Sequence, residues 1–146
     1  MARVEKSALV PYSNEKMFAL VDDVERYPEF LPWCGGGTVS ERTELVTVAT
    51  ILIDYRGIKH AFTTRNTKQG IEVMEIRLVE GPFKNLDGVW HFQALAENAC
   101  KISLALDYGF ASTVLERAVG PVFGMIATTM LERFVDRADA LFGPTA

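Results

Sequence analysis

The sequence predicts an α+β protein in which a curved antiparallel β-sheet is wrapped around one long C-terminal helix. Apolar residues between positions 38 and 110 recur with a period of two through several short segments, the mark of strands with one covered face. After Ser112 the period lengthens, and Leu115, Val119, Phe123, Ile126, Met130 and Phe134 follow one another at three- and four-residue intervals. The centre of that helix, residues 118–131, carries no charge on any face, so it has to be enclosed. A twisted sheet with one apolar face supplies the enclosure.

In chain order, residues 3–10 read as a first strand closed by Pro11. Ser13 then caps a short helix over residues 14–21, with Glu15 near its positive end. From Asp22 to Cys34, Pro28 and Pro32 restrict the chain to short helical turns. Yet Tyr27, Phe30, Leu31 and Trp33 crowd into this stretch, more apolar surface than water tolerates, so it packs on the core or rims a pocket. Three glycines, Gly35 to Gly37, precede a short second strand over residues 38–44.

Five further strands, 45–56, 58–68, 71–80, 87–95 and 101–110, are separated by Arg56-Gly57, Gln69-Gly70, Gly81-Pro82 and Glu97-Asn98. Such short gaps favour antiparallel neighbours. One parity collects Ala49, Ile51, Ile53, Phe62, Thr64, Met74, Ile76, Trp90, Phe92 and alternate residues from Ile102 to Phe110; the other holds Lys59, Arg65, Arg77, Lys101 and Asp107. One face is covered and the other wet. The final helix spans Thr113 to Phe142: Thr113 and Glu116 form a capping box, Gly143 and Pro144 mark the stop, and Pro121 predicts a bend or restart near Gly120.

The 146 residues read as one domain, 1–146, and an apolar fraction of 49% with 23% charged residues excludes disordered and fibrous classes. A net charge of -4 argues against nucleic-acid binding by bulk charge, DNA included. The chain opens without an apolar signal core, and the uncharged centre of the long helix falls short of the roughly 20 residues that cross a bilayer. A cytoplasmic address follows. Cys34 and Cys100 lie far apart with no second Cys or His at ligand spacing, so they read as free thiols and no metal is implied.

Several stretches bear a family resemblance: residues 8–13, residues 20–34, Phe62-Thr63-Thr64-Arg65-Asn66, and above all residues 78–92 around Glu80-Gly81-Pro82-Phe83-Lys84-Asn85. With Val122-Phe123, Phe134, Arg137 and Ala138 in the tail, they make the chain similar to the ribosome association toxin and coenzyme Q-binding START family, known also as polyketide cyclase and lipid transport. The resemblance implies the helix-grip fold of START and Bet v 1 proteins, with two short helices after the first strand. It implies a hydrophobic cavity between sheet and helix. The guest would be a polyisoprenoid quinone such as ubiquinone, or a related lipid, and the protein a non-catalytic carrier or chaperone supporting respiration, without a cofactor of its own. Transient contact with the inner-membrane surface would follow. The alternative implied by the same resemblance is a toxin that binds the large ribosomal subunit and inhibits translation initiation; a polyketide cyclase stands third.

On this reading Phe30, Leu31 and Trp33 form a lid, Phe62, Thr64, Met74, Ile76, Trp90 and Tyr108 line the sheet side, and Phe123, Ala127 and Met130 line the helix side. Small Gly120, Gly124 and Ala127 either leave room for a guest or allow close packing of helix on sheet. The span from Tyr55 to Ile71 has no acid, so Arg56, Lys59, Arg65 and Lys68 offer a surface for rRNA phosphate or anionic lipid, with Phe83 and Lys84 as further docking residues. Catalysis finds little support: His60 and His91 lie on separate strands, no nucleophile elbow or phosphate loop is present, and only Thr64, Tyr108 and Asn66 could be poised over a folded substrate.

Overall fold

The computed structural model describes residues 2–143, so Pro144, assigned above to the helix stop, lies outside the described residues. Among the described residues seven strands form one antiparallel sheet: β1 (Ala2–Val10), β2 (Cys34–Arg42), β3 (Val46–Tyr55), β4 (Ile58–Gln69), β5 (Val73–Glu80), β6 (Phe83–Ala96) and β7 (Ala99–Phe110). The order across it is β1-β7-β6-β5-β4-β3-β2. Strands β2 to β7 are a simple meander, and β1 closes on the far side of β7, with Ala2 opposite Tyr108 and Val10 opposite Cys100. Two α-helices, α1 (Asn14–Asp22) and α2 (Thr113–Phe142), and a 3-10 helix, Val24–Glu29, complete the helix-grip arrangement.

Local chemistry sets the boundaries. The Ser13 side chain accepts from the Lys16 amide and starts α1. Strand β2 begins at Cys34, so the three glycines that the sequence placed ahead of a strand at 38–44 belong to the strand itself. The reason is contact: a Cβ on Gly37 would stand 2.3 Å from the Val24 carbonyl oxygen, so only glycine lets the 3-10 helix lie this close to β2. Strand β6 also begins earlier than its alternation indicated, because Gly81-Pro82 is a tight connection and Phe83 already pairs with Phe110.

Helix α2 differs from expectation at its start and centre. Its N-cap is Ser112, whose Oγ accepts from the Leu115 amide at 3.1 Å; Thr113 is the first helical residue, so no Thr113–Glu116 capping box forms. The helix runs unbroken through Pro121, with no restart at Gly120. Pro121 and Arg117 both lie on the exposed side, where water can satisfy the carbonyl that the proline leaves unbonded. By length and composition alone α2 could cross a bilayer, a point missed by counting only its uncharged centre. Here one face is spent on the core: Val119, Phe123, Ile126, Ala127, Leu131, Phe134 and Ala138 are buried against the sheet and the N-terminal helices.

Candidate functional site

Between the inner face of the sheet and α2 lies a cavity of about 50 Å³. Strand β4 contributes Phe62, Thr64 and Asn66, three successive inward positions of a period-two pattern. Ile76, Trp90 and Leu106 come from β5, β6 and β7, and Phe123, Ile126 and Met130 from one face of α2. Trp33, held by its carbonyl accepting from the Asp54 amide at 2.9 Å, closes the side nearest the 3-10 helix. The volume is well below the roughly 300–1,000 Å³ of a drug-sized ligand site.

Among the described residues no charged side chain lines this cavity. Its polar atoms are few. Tyr27 donates its hydroxyl to the Val21 carbonyl, and burial, reinforced by the charge of Asp22, pushes its pKa far up, so it is a neutral donor. Thr64 is 4% exposed. The Trp33 indole Nε1 and the Asn66 Oδ1 are buried without a hydrogen-bond partner among the described residues.

Of the predicted ligand residues, Trp33, Phe62, Thr64, Ile76, Trp90, Phe123 and Met130 line the cavity, whereas Phe30, Leu31, Met74, Tyr108 and Ala127 do not. The Phe30 ring packs edge-on against Phe134 at 5.3 Å, under the Arg137 guanidinium at 5.1 Å. Leu31 is core, 1% exposed. Met74 is also fully buried, opposite Trp90 but away from the space. Tyr108 is turned onto Phe123, ring centroids 4.7 Å apart, where burial raises its pKa. Ala127 is fully buried in the core, outside the cavity lining. The lining residues missed include Val21, Val24 and Tyr27, brought in by the N-terminal helices, and Leu86 and Ile126; Ala49, Ile51 and Leu106 were legible only as inward positions.

The outer face of the sheet carries a row of charges set by register. Arg65 stands opposite Arg77, Arg77 opposite Asp87, Asp87 opposite Asp107 and Asp107 opposite Arg3. Arg77 reaches Asp87 at 3.7 Å and Arg3 reaches Asp107 at 2.5 Å, while exposed Arg65 makes no ion pair among the described residues. Arg56, Lys59 and Lys84 are exposed as well. Two predicted docking residues are not. Lys68 shares the inward parity of Phe62 and Thr64; it is 6% exposed, with Nζ 3.1 Å from Asp22 Oδ2 and donating to the Thr43 carbonyl at 2.8 Å. Asp22 also accepts from the Thr47 hydroxyl at 2.7 Å, so the cluster pins α1 to β3 and β4. Phe83 is a plug, 5% exposed, stacked on Phe110 and edge-on to Phe123.

His91 points outward and His60 lies half-buried on the other parity; among the described residues no group of three His, Cys, Asp or Glu is placed to hold a metal. Cys34 and Cys100 are free and buried, and burial raises both thiol pKa values.

Residues 10–135 match the profile of a family described as polyketide cyclase / dehydrase and lipid transport. The ribosome association toxins RatA of Pseudomonas aeruginosa and Vibrio cholerae are 42% and 43% identical to the chain, over 96% and 98% of its length and 97% and 99% of theirs. More distantly, the mitochondrial coenzyme Q-binding protein coq10 of Schizosaccharomyces pombe is 23% identical over 90% of the chain and 84% of its own length. A START superfamily protein of Mycobacterium smegmatis superposes with a TM-score of 0.75 at 17% identity, over 95% of this chain and 98% of that one, a likeness of fold.

Proposed function

The chain belongs to the polyketide cyclase / dehydrase and lipid transport family, together with the ribosome association toxins, and from this we propose that it is a non-catalytic cytoplasmic protein that docks on the large ribosomal subunit. The observation that carries the reading is the alignment itself, 43% identical over 98% of the chain with a relative named for ribosome association. This reverses the order of the two readings that the sequence suggested, in which a ubiquinone carrier came first. The small cavity supports the reversal, because about 50 Å³ has no room for a polyisoprenoid tail unless the helix and sheet part.

The docking face we propose is the outer sheet surface around Arg65 and Arg77. Like charges directly opposite on neighbouring strands repel, and rRNA phosphate would relieve that repulsion with paired N–H···O bonds. In a chain of net charge -4 such a patch gives orientation as well as affinity. The test is co-sedimentation with purified large subunits at about 50 and 200 mM salt. Wild-type binding should weaken with salt, and Arg65→Glu/Arg77→Glu should lower it by about tenfold or more. Absence of wild-type binding at low salt overturns the reading; full binding by the double variant moves the docking face elsewhere.

A second reading, an apolar guest in the cavity, is favoured by the uncharged lining and by the distant relative named for coenzyme Q binding. Each methylene buried there would contribute about 0.8 kcal/mol. It uses the opposite side of the sheet and is compatible with ribosome docking.

A further inference from the structure

We infer that the cavity recognises a neutral guest through an oxygen atom that accepts a hydrogen bond from Trp33 Nε1, with Asn66 as the second polar contact. The inference rests on the reading that the cavity takes a guest, and is independent of ribosome docking. Trp33 is 1% exposed and Asn66 9% exposed; both line the same space, and the indole Nε1 and amide Oδ1 have no partner among the described residues. Buried polar groups in folded proteins are nearly always paired, because an unpaired one loses its hydration for nothing. An indole N–H only donates, so whatever meets Trp33 must offer an acceptor. The Asn66 side chain can turn either its oxygen or its NH₂ to the guest, and so serves a hydroxyl or a carbonyl equally.

The rest of the lining decides charge and size. A carboxylate or ammonium would be desolvated beside Phe123, Ile126 and Leu106 with no counter-charge in reach. Buried Lys68, two residues beyond Asn66 on β4, is engaged by Asp22, and the Tyr27 hydroxyl is committed to the Val21 carbonyl. The guest class is therefore a neutral ketone, alcohol or phenol, or the head of a larger molecule bearing one, and not a fatty acid. About 50 Å³ accepts a group of a few heavy atoms as folded. Half-buried Met130, unbranched and with several rotatable bonds, can swing aside for a ring.

The chain has two tryptophans, Trp33 and Trp90, so its ¹H–¹⁵N spectrum holds two indole signals, which Trp33→Phe assigns. The probes are cyclopentanone, its hydrocarbon analogue methylenecyclopentane, and cyclopentanecarboxylate at neutral pH. Cyclopentanone should move the Trp33 indole proton downfield and bind roughly three- to tenfold more tightly than methylenecyclopentane. The carboxylate should leave both indole signals in place, and Asn66→Leu should narrow the preference for the ketone. If the hydrocarbon binds as tightly as the ketone with the Trp33 signal unmoved, or the carboxylate binds as tightly, the inference falls while the guest-binding reading stands. If no probe binds, both fall. The wild-type comparison decides without any variant.

Discussion

Replacing Asp22 with Ala should destabilise the protein by about 3 kcal/mol through Lys68, a residue on the other side of a turn, a helix and two strands. The Lys68 ammonium is 3.1 Å from Asp22 Oδ2, with side-chain exposures of 5% and 15%. At an effective dielectric of about 20, that separation corresponds to a gross attraction of about 5 kcal/mol. Its loss leaves Lys68 with the Thr43 carbonyl and the face of the Phe18 ring, with no counter-charge in the cluster, and strips Thr47 of its acceptor. Water can reach the vacated Asp22 side in part, which places the net cost at the lower end of the ~3–5 kcal/mol for breaking a buried pair. Lys68→Met should cost less, about 1–2 kcal/mol, because Asp22 keeps the Thr47 hydroxyl and the Arg42 Nε at 3.5 Å. In Asp22→Ala/Lys68→Met neither charge remains, so the double variant should be more stable than the sum of the single losses by about 1–3 kcal/mol. Urea unfolding of the four proteins of this cycle measures the coupling. Losses that add within about 0.5 kcal/mol would mean that the two groups do not act as a pair.

Two glycines should respond in opposite directions to alanine. Gly37→Ala drives a Cβ into the Val24 carbonyl and should cost about 1–3 kcal/mol, while Gly124→Ala, whose new Cβ finds nothing nearer than the Tyr108 Oη at 3.9 Å, should raise stability by about 0.5–1 kcal/mol; equal unfolding midpoints would contradict both. The buried thiols set a pH limit. Burial raises the pKa of Cys34 and Cys100 in the folded protein, so above about pH 8.5, where unfolded thiols ionise, the unfolded state holds fewer protons and stability declines. Their contribution is full below that pH and is lost as pH rises, and buried Tyr27 adds to it at higher pH. In reductant, the urea midpoint should be lower at pH 9.5 than at pH 7.5, and at pH 8 a thiol reagent should label neither cysteine until the protein unfolds; rapid labelling of the native protein would refute the burial argument.

The strand pattern was legible because a period of two is set by backbone geometry and survives any neighbour. The inward set Ile51, Phe62, Trp90 and Leu104 is buried as that period requires. Parity also placed Lys68 inward with Thr64, and the expectation failed where charge was allowed to override it. What parity cannot show is a partner distant in sequence: Asp22 comes from the end of α1. The same holds for the cavity. Its sheet side follows from alternation, but Val21, Val24 and Tyr27 reach it through the packing of the N-terminal helices, whose angle to the sheet no local pattern records. The place of Phe30 was hidden for a related reason: hydrophobicity called for burial, and Phe134 and Arg137, a hundred residues along the chain, decided where. Gly37 was placed ahead of the strand and not in it because the contact that demands it, the Val24 carbonyl, has no signature of its own.

The pairing of β1 with β7 has a consequence for how the molecule is made. Among the described residues, Ala2 through Val10 pair with a strand that ends at Phe110, about a hundred residues further along the chain. Until then β1 has no partner, and the inner face of the growing meander, with Trp90 and Phe92, has no helix to cover it. Contacts this distant in sequence carry a large loop-closure cost and slow folding, and an uncovered sheet with a free edge is prone to pair with the wrong chain. Synthesis of β7 and α2 is therefore the event that commits the whole sheet, and a nascent chain halted before residue 110 should depend on chaperones to stay unaggregated.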